Sequence, residues 1–132
     1  MITLSPAHAA ERAAAALAAT LTKLNSGAGG ASVSLYATVR PANSAAAGGD
    51  PLAVITLAKP AGVIDAGVLT LTLPDDALIL LTGIALWARI TVDSGIVLDS
   101  DVSDMAGTAM IRLASTQLYA GGSVRLASGV LS

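Results

Sequence analysis

The chain has 132 residues, 54% of them hydrophobic and only 12% charged, with a net charge of −2. That charged fraction is about half of the roughly 25% usual in a soluble domain, too little to cover a lone globule, so part of the surface is expected to be hidden against copies of the chain or a larger assembly. The seven Lys and Arg residues are scattered singly, which excludes the basic stripe of a nucleic-acid binder, and cysteine is absent, which excludes disulfides and thiolate metal sites.

Residues 5–25, "SPAHAAERAAAALAATLTKLN", read as a helix. Ser5 caps the first turn, Pro6 suits the first helical position, and alanine fills the interior. Leu17, Leu21 and Leu24 form a narrow apolar stripe at i, i+4, i+7, and Asn25 with Gly27 supplies the stop. An alanine-rich helix of this length is marginal alone in water, so the stripe must pack on something: its own β-domain, or a neighbouring subunit that it reaches as an arm. The glycine-rich "SGAGG" (26–30) reads as a flexible joint. The organisation is therefore a helical arm with its joint over residues 1–30 and one β-domain over 31–132.

From residue 31 the pattern turns to β, with Val-, Ile-, Leu- and Thr-rich runs punctuated by Gly, Pro and Asp. Strands are expected at 32–39, 52–58, 67–74, 83–92, 95–102, 108–114 and 122–131, with a polar loop at 40–51. Leu69, Leu71 and Leu73 share one face of their strand, and Thr70 and Thr72 the other. Seven or eight short strands with hairpin-sized links and no intervening helices predict a mainly β fold, an antiparallel β-sandwich of jelly-roll type with an N-terminal α-helix. The apolar run "ALILLTGIALWA" (77–88) is 12 residues long, bounded by Asp76 and Arg89, short of the roughly 20 a membrane span needs. The N-terminus has no basic n-region, so no secretion signal and no membrane partner are expected.

The stretch "ALWARITVDSGIVLDSDVSD" (85–104) holds the single tryptophan and four of the nine acids. It reads as a hairpin turning at "DSG" (93–95), where Asp bonds its own backbone and Gly takes positive φ. Trp87, Arg89 and Thr91 then share one face, and Arg89 sits across from Asp99 in a weak surface pair. Asp99, Asp101 and Asp104 resemble the start of a calcium loop, but Ser103 stands at its fifth position, Asp104 replaces the glycine, and Met110 replaces the bidentate glutamate. They read instead as solvated acids that guard an exposed sheet edge. His8, the one histidine, lies in the first helical turn with no nucleophile elbow elsewhere. Asp75–Asp76 reads as a turn after Pro74. For sugar binding the chain offers only Tyr36, Tyr119 and Trp87, and Trp87 belongs in the core. No catalytic, cofactor-binding or metal-ligating residue is assigned, no cofactor is expected, and the chain reads as a non-enzyme.

The order of motifs resembles that of short virion structural proteins encoded in tailed-phage and prophage genomes. The residues that carry the resemblance are Leu35, Tyr36 and Pro41; "LAVITLAKPAG" (52–62); "GVLTL" (67–71); "TGIALWARITVDSGIVLDSDV" (82–102); and "STQLYAGGSVRLASGVL" (115–131). The Trp-Ala-Arg strand with its Asp-Ser-Gly turn is the most specific part. The chain departs in having "LAST" (113–116) where an "LNTT"-like segment is common, and in its N-terminal helix. The resemblance implies a capsid decoration, or cement, protein. Its partners would be further copies of itself, a trimer being favoured, and the phage major capsid protein. It would be made in the bacterial cytoplasm and end on the capsid surface of the virion. A ring-forming tail or head–tail junction protein is the alternative, and a carbohydrate- or receptor-binding module the second.

Overall fold

In the computed structural model, which describes residues 2–93 and 95–132, one helix precedes twelve short strands. The helix α1 spans Pro6–Leu24. The strands are β1 (Ser32–Tyr36), β2 (Ala53–Thr56), β3 (Gly62–Asp65), β4 (Val68–Leu71), β5 (Ala77–Leu78), β6 (Gly83–Ile84), β7 (Trp87–Val92), β8 (Gly95–Asp104), β9 (Ile111–Leu113), β10 (Gln117–Leu118), β11 (Ser123–Val124) and β12 (Leu126–Leu131). The protein is thus mainly β with an N-terminal helix, as the sequence patterning predicts.

The helix forms where its end signals place it. The Ser5 hydroxyl accepts from the His8 N–H at 3.2 Å, Pro6 opens the helix, and the Asn25 N–H donates to Leu21 O at 3.0 Å. Leu17 and Leu24 are buried and Leu21 packs beside them in the same core as the sheet. Each fully buried leucine is worth about 1.5–3 kcal/mol, so the second half of α1 is rooted on its own β-domain, while residues 5–16 are all exposed. The joint behind the helix is packed rather than slack. A Cβ on Gly30 would lie 1.9 Å from the Leu57 carbonyl oxygen, so only glycine lets the chain pass there. Lys59 Nζ donates to the Gly27 carbonyl, and the Asn25 side-chain oxygen accepts from the Ala61 N–H at 2.8 Å.

Eight strands form one sheet in the order β2-β1-β7-β8-β9-β12-β4-β3, with β10–β6 and β11–β5 as two small ribbons. All pairs but one are antiparallel; β8 and β9 run parallel, Val102↔Ile111 to Asp104↔Leu113, so the sheet is mixed where an antiparallel one was expected. A parallel pair ordinarily needs a crossover of a dozen residues. Here the overlap is three residues, about 7 Å of strand, and the link 105–110 suffices to return. Ser103 Oγ and Asp104 Oδ1 fold that link by accepting from the N–H groups of Ala109 (3.3 Å) and Ala106 (2.9 Å).

The sheet is curled, and chain geometry shows why. Eight strands laid flat would put β2 and β3 about 33 Å apart, yet residues 57–61 alone join these two edges, and so short a link reaches only about 20 Å. Ile79, just after β5, closes the roll further by bridging to Ala53 of β2. Val33, Leu35, Ile55, Leu69, Leu71, Ile90, Ile111, Leu113 and Leu126 fill the inside together with Leu17 and Leu24.

Several expected boundaries move. The strand β3 falls in a stretch read as a link. The strand expected over 83–92 is two, β6 and β7, separated by Ala85 and Leu86. Leu69 and Leu71 are buried and Thr70 and Thr72 exposed, but Leu73 lies beyond the end of β4 and is exposed too. At the β7–β8 turn, Asp93 carries the positive φ (47°) and Gly95 already begins β8; Ser94 lies outside the described residues.

Candidate functional site

Two places stand out: the outer face of β7 around Trp87, and the segment that leads into it. On β7 the alternation of side chains sends Ala88 and Ile90 inward and Trp87 and Arg89 outward, and yet all four are buried. The cover on the outer side is the loop 37–51, which includes the short 3-10 helix Ala42–Ser44. Pairing with β1 puts Tyr36 beside Trp87, and pairing with β8 puts Asp99 beside Arg89 and Asp101 beside Trp87.

The contacts fit together as a clasp. Tyr36 stacks on Trp87 with ring centroids 4.5 Å apart and planes 16° from parallel, a geometry worth about 0.5–1.5 kcal/mol beyond area burial. The indole N–H donates to Thr38 Oγ1 at 3.2 Å, and that hydroxyl donates to Ala47 O at 3.0 Å. Arg89 lies over the indole at 5.1 Å. Its Nε and Nη2 donate to the two oxygens of Asp99 at 2.8 and 3.0 Å, and Nη2 also donates to Ala45 O at 2.6 Å. The fork geometry satisfies both charges. Hydrogen bonding to Asp99 raises the Arg89 pKa above the usual guanidinium value despite the opposing effect of burial.

The Arg89–Asp99 register is the expected one, but the pair is not a surface pair: its side chains are 9% and 11% exposed. Nor do the acids guard an edge, because β8 lies inside the sheet between β7 and β9. The three acids weighed as a calcium site have separate employments. Asp99 holds Arg89, Asp101 meets Arg40 at 3.1 Å on the surface, and Asp104 folds its own turn. Among the described residues, no group of three His, Cys, Asp or Glu side chains is placed to hold a metal ion, and no buried side-chain polar atom lacks a partner. His8 lies on the exposed half of α1, its Nδ1 3.5 Å from Glu11. Asp76 stands 3.9 Å from Arg125. Trp87 is fully buried, as expected of it, but under the loop on the outer side of β7, and Tyr119 is 66% exposed beside the β10–β6 ribbon.

No strand was expected over 77–82 of the apolar run 77–88, which is too short to span a membrane; the run carries β5 at Ala77–Leu78 and β6 at Gly83–Ile84. Its backbone is fixed: β5 pairs with β11, the Ile79 N–H donates to Gly122 O at 2.9 Å, the Leu80 N–H to Leu52 O at 2.7 Å, and the Leu86 N–H to Tyr36 O at 2.8 Å. Ile79 and Ala85 point into the core, whereas Leu78 (60%), Leu80 (54%), Leu81 (44%), Ile84 (51%) and Leu86 (50%) are left in solvent. A strand covered on one face needs only alternate apolar residues; a continuous run such as "ALILL" is the pattern of a strand covered on both. That excess was the signal in the sequence. Among the described residues only one of the two covers is supplied.

Among the described residues no helix is long and apolar enough to cross a membrane. No protein-family model, no curated protein and no solved structure matches the chain.

Proposed function

We propose that the protein is a structural component of a tailed-phage virion, a capsid decoration protein that binds the outer shell as a trimer and ties neighbouring subunits of the major capsid protein together. The motif that carries the resemblance, Trp87-Ala88-Arg89, makes a clasp that fixes a loop to a sheet, a structural task. In the same reading the curled sheet serves as a jelly-roll-like sandwich scaffold, its two halves facing each other across the core.

The observation that carries the proposal is the leucine strip at 78–86, apolar side chains on a hydrogen-bonded backbone that the described residues leave exposed. Five large apolar side chains exposed within nine residues are a concentration of the kind that marks an interaction site. Repetition around a three-fold position would add avidity from individually weak contacts. A ring-shaped tail or head–tail component would use the same strip with a larger copy number.

The test is co-sedimentation of the purified chain with capsid shells stripped of their decoration, together with its mass in solution by light scattering. Saturable binding in threes, with a mass three times 12.9 kDa, is the expected result. Six or twelve copies and no shell binding would move the protein to the tail or the portal junction.

A further inference from the structure

The accessible surface is 7264 Å², whereas a compact monomer of 12.9 kDa exposes roughly 6300 Å². The excess, about 950 Å², is close to the roughly 800 Å² per partner that a stable protein–protein interface buries. Two parts of the fold lie uncovered. One is the leucine strip, continued by exposed Val54 and Leu73, which line a groove with Leu78, Pro74, Asp75 and Asp76. The other is the first half of α1, where residues 5–16 are exposed all round and reach about 16 Å beyond the leucines that root the helix. The helix does not cover the strip of its own chain.

A closed ring of odd order is built from heterologous contacts, so each protomer must carry two different complementary surfaces. We propose that the exposed half of α1 from one protomer lies in the groove and along the leucine strip of the next, and that this contact closes the ring. The inference rests on the trimeric reading of the proposed function. One charge pair favours the match, although Glu11 stands beside Arg12 on the same helix half. Among the described residues Arg12 makes no ion pair on the helix and Asp75 makes none at the groove. The exposed alanines 9, 10, 13 and 14 make a slim helix whose backbone approaches large side chains closely, and the groove supplies Val54, Leu73 and Leu78.

The chain has no cysteine of its own, so introduced thiols report without background. Ala13→Cys and Leu78→Cys are placed in one full-length chain, oxidised, and read on a non-reducing gel beside light scattering of the unoxidised protein. The expected result is a covalent ladder that stops at three chains, with neither single variant cross-linking. Self-cross-linking of Leu78→Cys alone would show a two-fold strip-to-strip contact and overturn the inference. So would a trimeric mass without cross-links, which leaves the ring standing on another interface. A monomeric mass at all concentrations removes both the ring and this contact. Cross-linked trimers that fail to bind shells leave the contact standing and remove the decoration reading.

Discussion

The run from Ala77 to Val92 is almost continuously apolar, yet its two halves meet opposite fates. In the second half, Trp87 to Val92, both faces are buried, one by the core and the other by the loop 37–51. In the first half, Leu78 to Leu86, one face is buried and the other left in water. Hydropathy does not distinguish them; the supply of covering chain does. The loop that returns from β1 to β2 covers Trp87 because Thr38 and Ala45 offer the hydrogen bonds that the indole and guanidinium need. Among the described residues nothing comparable covers Leu80, which is 54% exposed.

That contrast is open to direct attack. The largest effect is expected from Trp87→Ala, which removes a fully buried ring together with its stack on Tyr36 and its hold on the loop; urea denaturation should show a loss of about 3–5 kcal/mol. A loss below about 1 kcal/mol would mean that the loop is not a true cover. Next comes Asp99→Ala, which leaves Arg89 charged, buried and without its carboxylate, at an expected cost of about 3 kcal/mol. Because the folded-state pKa of Arg89 is raised, the stability linked to its protonation is fully present below the unfolded arginine value and lost only as pH rises through the folded one, in strong alkali. The Arg89 contribution should therefore stay flat from pH 6 to 9. A slope that appears in the wild type and vanishes in Arg89→Met would contradict this. The smallest effect belongs to Leu80→Ser: in dilute solution, unfolding should stay within about 0.5 kcal/mol of wild type. Wild-type stability should then rise with protein concentration, as association requires, and that of the variant should not.

What could be read in advance follows the range of the forces involved. The helix was legible to the residue, because Ser5, Pro6 and Asn25 act within one turn of where they stand. The Arg89–Asp99 register was legible because a short hairpin leaves little choice of partner. The burial of that pair was not, since it depends on Ala45, 44 positions from Arg89 in the chain. The strand β3 escaped because "GVID" is short and follows Lys59-Pro60. The parallel β8–β9 pair escaped because no local pattern encodes which strand a chain returns to. The leucine strip escaped because hydropathy marks residues 78–81 as apolar without telling which of them the fold leaves uncovered.

The position of β12 makes it the strand that completes the sheet. It pairs with β9 through Leu126–Gly129 and with β4 through Val130 and Leu131, so it alone joins β3–β4 to the other five strands of the sheet. Of the described strands it is also the last in chain order. Until β12 docks, the remaining strands form two separate pieces of sheet, each with a raw edge able to pair with another chain. A chain cut before Leu126 should accordingly aggregate where the full chain stays dispersed, which light scattering of the two would show.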